Sequence, residues 1–141
     1  MRRLLSVLFV VVLFGSLLGS PAGAAPPSAT APPDGIGPWD VGLATVEVVD
    51  ADRGDRTLPV DVWYPVDAED AVGDPAELDL FVTTLALDHA LADPEPSSSR
   101  FPVVVFSHGS GGFRAQSWTL METLASHGFV VVAPDHVGNT A

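Results

Sequence analysis

The residues with the clearest capacity for chemistry lie in a glycine-rich segment, Ser107–Arg114, which reads SHGSGGFR. Gly109, Gly111 and Gly112 permit backbone angles that other residues avoid, and they leave N–H groups accessible to an anion. Two anions suit such a loop: a phosphate, or the oxyanion of a tetrahedral acyl intermediate. The alternative is a tight turn that needs glycine only for packing and binds no ligand.

The choice between these anions depends on pattern and charge. Phosphate-binding loops carry G-x-x-x-x-G-K-[ST] or G-x-G-x-x-G, and the segment has neither pattern. The chain also contains no lysine that could neutralise a phosphate. A His-Gly-rich turn that follows a strand is one way in which acyl-transfer enzymes build half of an oxyanion hole. The residue pattern therefore favours the oxyanion.

The elements on either side of this loop would place it at the edge of a sheet. Pro102–Phe106 is a continuous apolar run, as expected for a strand buried on both faces, and Phe129–Ala133 is a second such run. Between them, Gln116–Ser126 has helical spacing, and Gly128 supplies a stop. Strand, loop, helix and strand form a parallel βαβ unit, whose ligands bind beyond the carboxyl ends of the strands.

The preceding half of the chain predicts an antiparallel hairpin and one further helix. Leu43–Val49 and Thr57–Tyr64 alternate apolar and polar residues and are joined by a polar loop that contains glycine. The acidic loop 65–75 could be mistaken for a calcium loop, but it lacks regular ligand spacing. Ala76–Ala92 has apolar residues at helical spacing. The predicted fold class is α/β, with the hairpin followed by the parallel βαβ unit.

The amino terminus predicts export. Residues 1–24 combine two arginines, an apolar run and Ala22-Gly23-Ala24, which is the pattern of a cleaved secretory signal peptide. An uncleaved membrane anchor is the alternative, although the apolar run is short for a bilayer. Residues 25–38 are rich in Pro and Ala and predict a flexible linker. We expect residues 39–141 to form the folded portion, in a protein that is secreted or held on the exterior of the cell envelope.

Composition removes several classes of function. The 141 residues have a formal net charge of −12 and include no cysteine. An acidic chain with six basic residues lacks the basic surface that binds nucleic acid. The absence of cysteine excludes disulfides, thiolate zinc sites, iron–sulfur clusters and a cysteine nucleophile. We expect no cofactor and no metal, and the composition says nothing about oligomeric state.

Three segments together resemble a known family. TLPVDVWYP, FPVVVFSHGSGGFR and LASHGFVVVAPDHVGNT are similar to the amino-terminal part of secreted α/β-hydrolases, over roughly residues 39–140. The nearest group is the platelet-activating-factor acetylhydrolase and dienelactone-hydrolase-like family. The resemblance implies that the backbone N–H of Ser110 donates to the oxyanion, and that Phe113 and Arg114 lie near the mouth of the acyl pocket. We expect the other members of the loop, His108, Gly109, Gly111 and Gly112, to support its conformation.

The family's nucleophile is missing from the sequence. An α/β-hydrolase carries it in G-x-S-x-G, followed by an acid and a histidine, and no serine here has glycine at both −2 and +2. Asp135 and His136 are adjacent, so their side chains should diverge rather than form part of a triad. We expect His108 and Asp135 to brace the loops instead. The nucleophile, acid and base are expected outside this chain.

The sequence therefore predicts a fragment of a secreted serine hydrolase that acts on carboxylic esters, such as a lipid acetyl ester. Such a fragment would supply the oxyanion loop and would be inactive alone. Without a partner strand from later sequence, Pro102–Phe106 would be an unpaired apolar edge. The alternative is a non-catalytic secreted binding module built on a partial hydrolase fold.

Overall fold

A computed structural model describes residues 35–141, which form one mixed sheet of six strands with the order β3-β4-β1-β2-β6-β5 and an α-helix packed against it. The predicted leader and most of the predicted linker lie outside the described residues. No helix within residues 35–141 is long and apolar enough to cross a membrane. In chain order the elements are β1 (Asp40–Asp50), a 3-10 turn (Ala51–Arg53), β2 (Arg56–Val66), β3 (Pro75–Asp79), β4 (Thr84–Ala92), β5 (Val103–Val105), α1 (Trp118–Ser126) and β6 (Val130–Pro134).

The predicted hairpin is confirmed. β1 and β2 pair antiparallel along their whole length, from Asp40 opposite Val66 to Asp50 opposite Arg56. The alternation of apolar and polar residues suits these strands because successive side chains of a strand lie on opposite faces of the sheet. Both faces of β2 are covered near its middle, where Val60 is 4% exposed and the Trp63 side chain is fully buried.

The predicted βαβ unit is also confirmed. β5 and β6 are parallel neighbours, with Val103 opposite Val130 and Val105 opposite Val132. Helix α1 connects them and buries Met121 and Ala125. It begins two residues later than its sequence pattern indicated. Leu120 of this helix is 53% exposed.

Gly128 ends the helix as its sequence position indicated. Its φ of +89° is a left-handed value that side chains disfavour. The Gly128 N–H donates to the Ala125 carbonyl at 2.9 Å, and the Phe129 N–H donates to the Leu124 carbonyl at 3.1 Å. This pair of bonds is a Schellman motif, and it turns the chain directly from α1 into β6.

The helix predicted for residues 76–92 is wrong. The structure has two antiparallel strands there, β3 and β4, and β4 also pairs in parallel with β1. The leucines satisfy period 2 as well as helical spacing, and Ala76 and Leu78 are buried in the alternating pattern of β3. The segment forms strands rather than a helix because β4 can form backbone hydrogen bonds with the free edge of β1, and a helix would leave that edge unpaired.

Strand β5 is an edge of the sheet within the described part of the chain. It pairs with β6 on one side, and Val103 and Val105 are 63% and 70% exposed. The expectation that this strand is buried on both faces is therefore wrong, because the strand lies at the sheet edge of residues 35–141 and one row of its side chains is uncovered. An apolar edge strand presents unpaired backbone groups that invite a further strand.

The residues that precede β1 lie against the end of α1. The Gly37 N–H donates to Ser126 Oγ at 2.8 Å, and the Trp39 N–H donates to the Ser126 carbonyl at 3.0 Å. His127 Nε2 lies 3.0 Å from the Gly35 carbonyl oxygen. These contacts join the described end of the predicted linker to the folded domain.

Candidate active site

The glycine-rich loop, Ser107–Arg114, follows the carboxyl end of β5 and lies beside the segment that follows β6. Gly112 forms a parallel bridge with Thr140, and the Ala141 N–H donates to the Gly112 carbonyl at 3.0 Å. The parallel register of β5 and β6 brings these two segments together at the edge where α/β sheets bind ligands.

His108 is buried between the two segments, and its ring is held at both nitrogens. Its Nε2 accepts the His136 N–H at 3.1 Å, and its Nδ1 lies 2.8 Å from the Gly109 carbonyl oxygen. These partners assign the neutral form with the proton on Nδ1. With both nitrogens engaged by backbone groups, His108 connects the loops and is not positioned as a free general base.

Ser107 and His136 form a side-chain pair that the sequence analysis did not identify. Ser107 Oγ and His136 Nε2 lie 2.8 Å apart and share a hydrogen bond, and the His136 ring lies 4.2 Å from the ring of His108. The Asp135 carboxylate is directed to Arg114 rather than to His136. The pair therefore lacks the acid that orients the imidazole of a catalytic triad.

Arg114 anchors the end of the loop by joining two buried carboxylates. Its Nη1 donates to Asp135 Oδ2 at 2.8 Å, its backbone N–H to Asp135 Oδ1 at 2.8 Å, and its Nε to Asp61 Oδ1 at 2.9 Å. Thr45 Oγ1 also donates to Asp61 Oδ1, at 2.7 Å. Burial alone lowers the pKa of Arg114, but the hydrogen bonds and charges of Asp135 and Asp61 outweigh it and raise that pKa above its usual value.

These contacts hold the Arg114 side chain against the sheet, and its expected place near the mouth of an acyl pocket stays a prediction. Its guanidinium is turned inward and bound to β2 and to the end of β6. Phe113, in contrast, packs edge-on against Phe81 from the β3–β4 turn, with ring centroids 4.9 Å apart. Phe81 is 60% exposed, so this aromatic pair forms an apolar border of the loop.

Ser110 lies at the centre of the exposed part of the loop. Its hydroxyl donates to Asn139 Oδ1 at 3.1 Å, and the next N–H, from Gly111, donates to the Asn139 carbonyl at 3.2 Å. The Ser110 N–H has no hydrogen-bond partner among residues 35–141. Gly111 has a φ of +67°, which only glycine adopts without strain and which bends the chain here.

Outside the glycine-rich loop, the described residues line a cavity but form no metal-binding cluster. The cavity, of about 310 Å³, is lined by Trp39, Asp88 and His89 among others, and it shares no lining residue with the glycine-rich loop. No group of three or more metal-ligating side chains comes together within residues 35–141. The loop and the segment after β6 are therefore the candidate site.

Comparison with known proteins places this site in context. Residues 76–141 match the family model described as platelet-activating factor acetylhydrolase, isoform II. Platelet-activating factor acetylhydrolase from Cavia porcellus is 40% identical over 48 residues, which are 34% of this chain and 11% of that protein. The same enzyme from Canis lupus familiaris is 42% identical over 48 residues, again 34% of this chain and 11% of that protein.

A solved structure extends the likeness to most of the described chain. A ferulic acid esterase from Streptomyces cinnamoneus superposes with a TM-score of 0.58 and 33% sequence identity, and the match covers 77% of this chain and 36% of that one. The chain thus spans about a tenth of the length of the curated relatives and about a third of the esterase. The resemblance to this family is confirmed, and the described residues have part of an α/β fold that is similar to the fold of this esterase.

Proposed function

We propose, from the likeness of residues 76–141 to platelet-activating factor acetylhydrolase, that the chain is part of an exported serine hydrolase acting on carboxylic esters. Lipid acetyl esters or similar compounds are its proposed substrates. One observation carries the proposal: the loop after β5 presents the Ser110 N–H, directly after His108 and Gly109, with no hydrogen-bond partner among residues 35–141. This is the position from which the family donates to the oxyanion.

The proposed role of the loop is electrostatic. When a nucleophilic serine attacks the ester carbonyl, the carbonyl oxygen gains a full negative charge, and a base removes the hydroxyl proton of that serine. A fixed N–H directed at this oxygen stabilises the transition state more than the ground state. Loss of one such donor typically costs about 10²–10³ in rate. The Ser110 N–H would supply one donor, and the hydroxyl of Ser110 would not be the nucleophile.

The nucleophile, acid and base are proposed to come from sequence outside residues 1–141. No serine in the chain has the G-x-S-x-G context. The Ser107–His136 pair lacks a carboxylate on the imidazole, because Asp135 is occupied by Arg114. The exposed apolar edge of β5 supports the same proposal, since a further strand would cover it.

Export is proposed from residues 1–24. Arg2 and Arg3, the apolar run 4–18 and Ala22-Gly23-Ala24 have the order of the three regions of a signal peptide. An ester is the proposed small-molecule ligand, and the acidic balance of the chain disfavours nucleic acid as a partner. The proposed mechanism requires no cofactor.

The test compares two proteins: residues 1–141, and the product of the complete open reading frame that contains them. We expect the coding sequence after Ala141 to continue in frame to a G-x-S-x-G motif. The longer protein should hydrolyse p-nitrophenyl acetate, and residues 1–141 alone should not. Hydrolysis by residues 1–141 that Ser107→Ala abolishes would contradict the proposal. A stop codon after Ala141, together with a monodisperse protein that unfolds cooperatively, would favour the binding module instead.

A further inference from the structure

The segment after β6 holds the glycine-rich loop at several points along its length. His136 contacts Ser107 with its side chain and His108 with its backbone N–H. Asn139 binds both Ser110 and Gly111. The loop conformation is therefore set by a second segment about 28 residues further along the chain, as well as by its own glycines.

We propose that Asn139 is a positioning residue for the oxyanion donor, because its contacts with Ser110 and Gly111 fix the direction of the Ser110 N–H. This inference rests on the proposed function of the loop. It adds a residue that neither the sequence motif nor the resemblance to the family assigned to the site.

The geometry of the two peptide groups around Ser110 supports this role. The Gly109 carbonyl accepts the Gly112 N–H at 3.0 Å and lies 2.8 Å from His108 Nδ1. In a planar trans peptide the N–H is directed opposite to the C=O. The Ser110 N–H is therefore directed away from the interior of the turn, where it remains available to a ligand.

Asn139 fixes the other side of the Ser110 Cα atom. Its Oδ1 holds the Ser110 hydroxyl, and its carbonyl oxygen holds the Gly111 N–H. The Asn139 N–H in turn donates to the His136 carbonyl at 2.8 Å, so Asn139 is itself part of a closed turn. The side chain of Ser110 and the peptide group that follows it are both held in place. Because Cα is tetrahedral, the direction of the Ser110 Cα–N bond is then largely fixed as well.

The exposure of Asn139 separates positioning from general stability. Both Asn139 and Ser110 are exposed, and truncation of exposed polar side chains usually changes the free energy of unfolding by less than about 0.5 kcal/mol. A misplaced catalytic donor, in contrast, can cost up to about 10²-fold in rate. A large loss of activity with an unchanged melting temperature therefore identifies positioning.

The experiment is a double-mutant cycle in the product of the complete open reading frame. Asn139→Ala and Ser110→Ala each remove one side of the hydroxyl–amide contact and keep the Ser110 N–H. We expect each to lower kcat for p-nitrophenyl acetate by about tenfold, with KM changed less than about twofold. The double variant should lose no more than either single variant, because both remove the same contact. Ser110→Thr keeps a hydroxyl and should retain most of the activity.

Ser97→Ala is the matched control. Its hydroxyl donates to Asp67 Oδ1 at 2.9 Å across a similar sequence separation, away from the loop, so its loss should leave kcat unchanged. An active wild-type enzyme in which Asn139→Ala keeps full kcat, or in which the two losses multiply, would overturn the proposal. An inactive wild-type enzyme would count against the proposed function instead.

The amide resonances of Ser110 and Gly111 test the positioning independently of activity. They should shift in the same way in Asn139→Ala and Ser110→Ala and remain unchanged in Ser97→Ala. Unchanged resonances in Asn139→Ala would overturn the role of Asn139 whether or not the wild-type protein hydrolyses esters.

Discussion

The Arg114 guanidinium donates to the Asp135 carboxylate at 2.8 Å and fixes the end of the glycine-rich loop to the end of β6. The same side chain reaches Asp61 in β2, which is 2% exposed. Three elements distant in sequence are thus held by one cation between two buried anions. The proposed oxyanion loop is held at its Arg114 end by this network and at Ser110 by the segment that contains Asn139.

Removal of this cation should destabilise the fold. Arg114→Met leaves Asp61 and Asp135 buried without a counter-charge, and we expect a loss of about 3 kcal/mol in the free energy of unfolding, measured by urea denaturation. Arg56→Met is the control, because Arg56 contacts Asp50 at the same 2.8 Å distance but in a more exposed setting, with side chains that are 38% and 15% exposed. That partly exposed pair should contribute less than the buried network. Equal effects of the two substitutions would contradict the role of the network.

The left-handed backbone at Gly111 should make this position intolerant of a side chain. Gly111→Ala has free space for the methyl group but must adopt a φ of +67°, which costs about 1–2 kcal/mol or changes the loop conformation. Gly109→Ala also has free space and requires no such angle, so it should be tolerated. Thermal unfolding and ester hydrolysis measure both. Comparable losses in the two variants would show that backbone angle is not the constraint.

A buried carboxyl group in α1 should make stability depend on pH. Glu122 is 5% exposed, its Oε1 has no hydrogen-bond partner within the described residues, and burial raises its pKa above the ordinary value of 4.5 despite the opposing charge of His89. Because the folded state holds this proton more tightly than the unfolded state, stability falls as the pH rises through the raised pKa.

Glu122→Gln should remove that penalty. We expect the melting temperature to rise by roughly 2 °C at pH 7.5 and to be unchanged well below pH 4.5, where Glu122 is protonated in both states. Glu77→Gln, on the exposed face of β3, serves as the control and should have little effect at either pH. A gain for Glu122→Gln that persists at low pH would contradict the assignment to the buried charge.

The exposed edge of β5 should drive self-association when residues 35–141 are expressed alone. Val105→Lys places a charge on this edge and should reduce light scattering and increase the monomer fraction in size-exclusion chromatography. Val82→Lys, at a position that is 93% exposed in the β3–β4 turn, provides the control and should change neither. Equal effects from both substitutions would indicate general solubility rather than a specific edge.

Local patterns were sufficient to predict the hairpin and the βαβ unit. Each of these patterns is typical of one kind of structure. The alternation of apolar and polar residues indicates a half-buried strand in Leu43–Val49 and in Thr57–Tyr64, and the two continuous apolar runs indicate strands of a parallel unit. Residues 76–92 fit two periods, and only the pairing of β4 with β1 decides between them. That pairing joins segments almost fifty residues apart, so nothing in the local sequence specifies it.

The glycine-rich loop was identifiable from its residues, but its supports were not. Asp61 lies in an alternating strand whose pattern directed it to solvent, whereas it shares a covered face with Trp63. One signal in the sequence was available. Asp61 lies two residues before Trp63, so the two share a face of the strand, and a carboxylate on the same face as a buried tryptophan needs a buried cationic or hydrogen-bonding partner. The Ser107–His136 and Ser110–Asn139 contacts arise from the parallel register of β5 and β6, which sequence spacing alone does not give.

The most direct test of the central claim is covalent labelling of the complete protein with a fluorophosphonate ester, followed by peptide mapping. Such a reagent reacts with an activated serine, loses fluoride and leaves a tetrahedral phosphorus adduct that resembles the tetrahedral intermediate of acyl transfer. We expect one modified serine, within G-x-S-x-G and outside residues 1–141, and labelling that slows markedly in Asn139→Ala. Modification of Ser107 or Ser110, or the absence of any modified serine in the folded protein, would contradict the assignment of this chain as the oxyanion-loop portion of a serine hydrolase.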